Sequence, residues 1–229
     1  MDIKGYTLLE VSLFLAISGG LTLVAIVALA PRLTNVRFTS AMRGLHENVT
    51  KEMSISELGH NNLAGKYECS APGGNFNITF GSSSSSSCVF VGRLAVFNSG
   101  RVDYRSIAAL RTTASCGRPK YSYEALTECN LATVIPAITT NYDYTNGIKT
   151  FSAVPVVYGY GYVKSPDNNS TYRFILQNPS ANLFQLKDVI PVPAGTNPKV
   201  CYQLSNRRAH LVLSATRAEP TLEFNGVCS

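Results

Sequence analysis

The chain has 229 residues, 45% of them hydrophobic and 15% charged, with no Trp. Beside an N-terminal helix that length leaves one ordinary domain, or two small lobes, and excludes anything larger. The net charge of +6 favours anionic partners such as nucleic acid, teichoic acids or lipid headgroups, without choosing among them.

The chain opens on Lys4-Gly5-Tyr6-Thr7-Leu8-Leu9-Glu10 and runs into an apolar stretch that ends near Ala30. An uncharged run of about twenty residues is long enough to cross a bilayer as a helix. Glu10 is out of place there, because a carboxylate at membrane depth costs about 3 kcal/mol and calls for a partner or a role. An ordinary signal anchor accounts for the apolarity, and Ala28-Leu29-Ala30 offers a secretory cleavage site. Neither account explains the order Gly-Tyr-Thr-Leu-Leu-Glu.

That order resembles the prepilin leader of type IV pilins and pseudopilins: a basic leader, Gly, an aromatic residue, Thr, two aliphatic residues and Glu. The likeness covers roughly residues 1–30, with Gly5 at the last leader position and Tyr6 at the new N-terminus. It implies cleavage between Gly5 and Tyr6 by prepilin peptidase, N-methylation of Tyr6, and pairing of Glu10 with the N-terminal amine of a neighbouring subunit. Gly19 falls where family members often carry a glycine that loosens the helix. The proline that follows in the family is absent, since position 27 is Val27 and the first proline is Pro31.

The implied partners are other pilin subunits, the peptidase, an inner-membrane assembly platform and membrane lipid. The implied location is the cytoplasmic membrane with the globular part outside, and a surface filament or pseudopilus after assembly. A large globular region and six cysteines lean toward a minor subunit. The flanking charge points the other way: Arg32, Arg37 and Arg43 follow the apolar run and only Lys4 precedes it. The positive-inside rule would keep the domain in the cytoplasm, but large domains cross largely regardless of such charges.

One long helix is predicted from Tyr6 to about Leu58, kinked at Pro31 and stopped near Gly59. Beyond Pro31, Phe38, Met42, Leu45, Val49 and Met53 recur at helical spacing and form one apolar stripe. The predicted layout is leader 1–5, membrane and assembly helix 6–30, amphipathic continuation 31–58, and a β-rich domain 59–229.

Past residue 60 the texture changes to short β-like runs broken by Gly, Pro, Asn and Ser. Asn75 to Phe80 alternates, and Ser82 to Ser87 reads as a loop tip. Cys88 to Phe97 and Arg101 to Ile107 flank Asn98-Ser99-Gly100, the pattern of a hairpin. Val154 to Val163, Tyr172 to Leu176, Val200 to Leu204 and His210 to Ser214 are further strands. A helix followed by strand runs predicts an α+β fold with an antiparallel sheet, which is also the pilin architecture.

Cys69, Cys88, Cys116, Cys129, Cys201 and Cys228 form no C-x-x-C pair. An even count behind an export-type N-terminus reads as disulfides. The sequential pairing 69–88, 116–129 and 201–228 is favoured because each pair brackets a loop-rich segment. Buried free thiols are the alternative.

Catalytic signatures are missing: no nucleophile elbow, zinc motif, Walker loop or dinucleotide fingerprint occurs. Asp103 with Glu124 and Asp143 with Glu128 are ordinary acids, so neither an enzyme nor a cofactor or metal site is expected. Tyr158, Tyr160 and Tyr162 alternate with Gly159 and Gly161, so on a strand the rings share a face. They read as an aromatic ladder with glycines admitting a neighbour, or as a stacking platform for bases. Basic residues cluster at Arg101, Arg105 and Arg111, at Arg118 and Lys120, and at Arg207, Arg208 and Arg217. Some minor pilins bind DNA through basic surfaces, which makes Arg118, Lys120, Arg207 and Arg208 candidate nucleic-acid contacts. A solvated basic face is the plainer reading.

Overall fold

The computed structural model describes residues 7–57, 67–70, 77–80, 88–98, 100–110, 132–144, 148–152, 157–165, 169–177, 189–192, 195–214 and 219–224. Two compact units divide the chain, Met1–Ser40 and Ala41–Ser229. Helix α1, Leu8–Glu57, supplies the described part of the first unit and enters the second. Its run is uninterrupted at Pro31, which lies inside the helix. Proline has no N–H, so the carbonyl of Val27 lacks its usual donor there.

The second unit carries the β domain, and the fold is α+β with antiparallel sheets. Its strands are β1 Tyr67–Ser70, β2 Asn77–Phe80, β3 Cys88–Asn98, β4 Arg101–Leu110, β5 Ala132–Asp143, β6 Lys149–Ser152, β7 Gly159–Lys164, β8 Thr171–Leu176, β9 Val189–Pro191, β10 Lys199–Leu204, β11 Arg207–Val212 and β12 Thr221–Phe224. They form a six-stranded sheet of order β5-β4-β3-β7-β8-β9, a four-stranded sheet of order β12-β11-β10-β6, and the pair β1-β2.

The β3–β4 hairpin centres the larger sheet. Asn98 pairs with Arg101 across the turn, and Gly100 has φ of 81°. That conformation suits glycine, which carries no Cβ to clash. The buried Asp103 carboxylate holds the turn from below: Asn98 Nδ2 donates to it at 3.0 Å and Arg101 Nε lies 2.8 Å away. Tyr144 holds it from the side, donating its N–H to Gly100 O at 2.9 Å and its hydroxyl to Asn98 O at 2.5 Å.

One face of this sheet buries Leu94, Val96, Ile107, Val163, Phe174 and Leu176 in one apolar cluster. Gly161 stands opposite Phe174 in register, and the Phe174 ring occupies the space where a Gly161 Cβ would project. The other face carries Arg93, Tyr104, Tyr160 and Tyr162 in alternation with the first. Here the helix is tied down. Arg93 lies 3.0 Å from Glu52 as a largely buried ion pair. Gly44 lies against the Tyr142 hydroxyl with no room for a Cβ. His46 Nε2–H donates to Pro220 O at 2.8 Å. The stripe residues Met42, Leu45, Val49 and Met53 are all buried.

Tyr160 and Tyr162 are buried too, each 1% exposed, so the tyrosine strand is a ladder inside the fold. Arg173 stacks over the Tyr162 ring at 5.6 Å. Tyr160 donates its hydroxyl to Ser214 O at 3.2 Å, beside the four-stranded sheet. Tyr144 and Tyr202 meet edge to face at 5.4 Å. Burial raises the phenols of Tyr104, Tyr144 and Tyr202, with the Glu52 charge adding to the shift at Tyr104 and the neighbouring phenols at Tyr202.

Cys69 and Cys88 form a disulfide across 19 residues of sequence, tying β1 to the start of β3 as the sequential pairing requires. Cys201 is buried and disulfide-bonded, with a partner outside the described residues. The predicted 116–129 bond, and Cys228 of the third pair, also lie outside them.

A loop of this length gives about 3 kcal/mol of stabilisation in the chain-entropy view. Replacing Cys69 and Cys88 together by Ser should lower urea-unfolding stability of the β domain by about that amount, and non-reducing peptide mapping should recover the Cys69–Cys88 link. The phenol shifts fix a sign for alkaline stability. Their contribution is intact below the ordinary phenol value of about 10 and falls as pH rises beyond it. Tyrosinate absorbance from the buried rings should therefore appear together with loss of the circular-dichroism signal. Smooth titration of all 12 tyrosines in a folded protein would contradict this.

Candidate functional site

The residues that carry the prepilin likeness lie in the first unit. Gly5 and Tyr6 are outside the described residues. Thr7 and Glu10 are within them, and they bond to each other. Thr7 N–H donates to Glu10 Oε2 at 2.9 Å, and the Thr7 hydroxyl donates to the same oxygen at 3.0 Å. Glu10 N–H donates back to Thr7 Oγ1 at 3.3 Å. Val11 N–H closes the first helical turn on Thr7 O at 3.2 Å. Thr7 is thus the N-cap and Glu10 the third helical residue, a reciprocal capping box that satisfies two otherwise orphaned donors. A negative side chain in the first turn also lies with the helix dipole.

The helix beyond is apolar on every side. Leu8, Phe14, Leu21, Val24, Val27 and Leu29 are each more than half exposed. Its hydroxyls turn inward on its own backbone: Ser12 to Leu9 O at 2.9 Å, Ser18 to Leu15 O at 3.2 Å, Thr22 to Ser18 O at 2.7 Å and Thr34 to Ala30 O at 3.1 Å. Those hydroxyls need no water, as suits a segment in hydrocarbon, where polar groups look for internal partners; the Val27 carbonyl above Pro31 is the exception. Gly19 and Gly20 touch nothing that an added Cβ would meet. Among the described residues α1 is the one helix long and apolar enough to cross a membrane, which makes it a candidate anchor.

Only part of the basic clusters falls among the described residues. Arg118, Lys120, Arg111 and Arg217 lie outside the described residues. Arg207 and Arg208 are successive on β11 and so project to opposite faces, Arg207 half-buried and Arg208 exposed. In register, Arg208 stands opposite Gln203, and Gln203 opposite Lys149. Arg101 and Arg105 share a face of β4 as predicted, but Arg101 is engaged by Asp103. The buried Tyr160 and Tyr162 leave no platform on β7 for a base to stack on. Asp103 serves the hairpin turn, and Asp143 stands exposed at the end of β5, while Glu124 and Glu128 lie outside the described residues. Among the described residues no group of three His, Cys, Asp or Glu side chains is placed to hold a metal.

Two contacts lie beyond what the sequence motifs express. Thr7 enters the sequence analysis only through the leader order, although Thr-x-x-Glu before an apolar run is itself a capping signature. The Glu52–Arg93 pair had no signal, because it joins residues 41 apart in sequence through the fold.

No family model, curated relative or solved structure matches the chain.

Loss of an N-cap hydroxyl costs about 1 kcal/mol. Thr7→Val in the micelle-bound full-length chain should therefore speed amide exchange at Leu8, Leu9 and Glu10 about five-fold, with no change beyond Leu21. Unchanged exchange would mean the cap does not form.

Proposed function

We propose that this chain is a membrane-inserted filament subunit of the type IV pilin or pseudopilin kind, which polymerises through its N-terminal helix. The observation that carries the reading is a single acid, Glu10, held in the first turn of a helix whose first half is otherwise apolar and exposed on every side. A helix of that kind needs lipid or other copies of itself around it. The Lys4-Gly5-Tyr6 sequence supports cleavage after Gly5, which frees an amine at Tyr6 next to the capped turn.

The capping box gives Glu10 a local partner without using up its charge. Both Thr7 donors go to Oε2, and Oε1 accepts no hydrogen bond among the described residues. One oxygen therefore holds the helix end, and the other is open to an amine. In the proposed mechanism that amine belongs to a neighbouring subunit. A buried acid without a cation is costly and the docked one is satisfied, so the charge reports correct stagger between helices.

Glu10→Gln separates the two roles. Glutamine still completes a capping box, so insertion and cleavage should proceed and the helix end should hold. The charge-assisted bond to the amine is lost, so incorporation into sheared filaments should fall about ten-fold or more. Normal incorporation along the shaft would overturn inter-subunit pairing. Mass spectrometry of the mature chain should find N-methylated Tyr6 at its start, and Gly5→Val should abolish that product. A chain recovered from Met1, or starting near Pro31, would overturn the family reading itself.

A further inference from the structure

We propose that Arg32 and Arg37, about 140° apart around the helix, each bind acidic phospholipid headgroups at the outer end of the apolar segment while the chain is membrane-inserted, and together form a basic collar there. The proposal rests on the membrane reading of α1 given above. A hydrocarbon core of about 30 Å takes about twenty helical residues. Counted from Glu10 this brings the core to its outer edge near Ala30. Arg32 then falls at the start of the headgroup layer, and Arg37 about 8 Å further out at 1.5 Å per residue.

The helix surface around them has the pattern of an interface. Leu29, Leu33 and Val36 are 52%, 55% and 65% exposed, so apolar surface continues past the first arginine. Each arginine has an apolar neighbour one turn away on its own side: Leu29 and Val36 for Arg32, and Leu33 for Arg37. Arginine stems lie along apolar surface of this kind while the guanidinium reaches the polar layer. Both residues are exposed, and neither makes an ion pair within the described residues. On the helix itself no acid occurs between Glu10 and Glu47. Thr34 is already committed to Ala30 O.

A guanidinium presents a planar fork of donors that fits a phosphodiester bidentately, and lipid phosphates are the acceptors available at this depth. Net attraction then favours lipids with an uncompensated negative headgroup over zwitterionic ones. Two arginines at the surface should each favour such lipids about five-fold. The site would also hold the outer end of the helix at a fixed depth, opposite the end where Glu10 lies.

The test uses full-length protein in vesicles of phosphatidylcholine alone, and of phosphatidylcholine mixed with phosphatidylglycerol. Lipid retained on the protein after gentle detergent extraction is read by native mass spectrometry. Phosphatidylglycerol should be enriched over its bulk fraction by about five-fold or more, and the enrichment should weaken at high salt. Arg32→Gln with Arg37→Gln should abolish it while the chain still resists alkaline carbonate extraction. Arg32→Lys with Arg37→Lys should retain part of it. Equal retention of both lipids by the parent chain, or unchanged enrichment in the glutamine variant, would overturn the site. Loss of the parent chain to carbonate from both kinds of vesicle would instead overturn the membrane reading.

Discussion

Burial of one stripe of α1 organises the second unit. Met42, Leu45, Val49 and Met53 are each 1% exposed or less. A side chain of that kind contributes about 2 kcal/mol when fully buried. Apolar contact does not by itself choose a register, since a helix can slide by a turn and still bury its Leu and Met. The polar ties do. Glu52 reaches Arg93, Gly44 admits Tyr142 and His46 meets Pro220, three constraints spread over nine residues of helix. A buried ion pair adds little net stability against an apolar pair of equal size, but a shifted register would leave both charges unpaired. That asymmetry makes Glu52 and Arg93 a register lock more than a brace.

The two halves of α1 differ in pattern. Up to Pro31 the hydroxyls of Ser12, Ser18 and Thr22 fold back onto the helix, and the exposed faces are apolar all round. From Ala41 onward the apolar residues retreat to one stripe, and Arg43, Glu47 and Lys51 take the exposed side. An amphipathic pattern belongs against a sheet and an all-round apolar one belongs in lipid or in a helix bundle. No single environment would suit both halves.

That division was legible because helical periodicity survives over many residues. So was the β3–β4 hairpin, whose Asn-Ser-Gly turn has a local cause. The tyrosine strand was legible as a ladder through its glycines, but the identity of the neighbour was not. Gly161 is filled by Phe174 through a register between β7 and β8 that no local pattern specifies. β5 was missed, although at 12 residues it is the longest strand among those described. It contains Pro136, which ordinarily argues against a strand. Its pairing with β4 slips between Arg105 and Ser106, opposite the stretch where Pro136 lies, and among the described residues β5 is an edge strand. Irregularity at an edge accommodates what a central strand would not. β11 was begun too late because Ser205 and Asn206 make a two-residue turn without glycine, Ser205 taking φ of 54° itself. Starting at Arg207, the strand sends Arg207 and Arg208 to opposite faces, and a pair that looked like one patch in the sequence is not one in space.

The candidate site shows how little sequence a demanding requirement can use. A helix start leaves N–H groups without intrahelical partners. Thr7 and Glu10 satisfy two of the donors there with two side chains. Residue type matters at each position. Serine would cap as well, but valine has no acceptor, and aspartate at the third helical position is a methylene short of the reach a capping box needs. Glutamine has the reach but not the charge. Glutamate is therefore the residue that both closes the helix end on itself and keeps an anionic oxygen outward. If capping were the whole task, the cheaper choice at the edge of hydrocarbon would be the neutral amide, because it avoids the penalty of a buried carboxylate. In the proposed membrane setting the acid carries a cost that the cap does not explain, and the oxygen facing away from Thr7 is where that cost would be recovered.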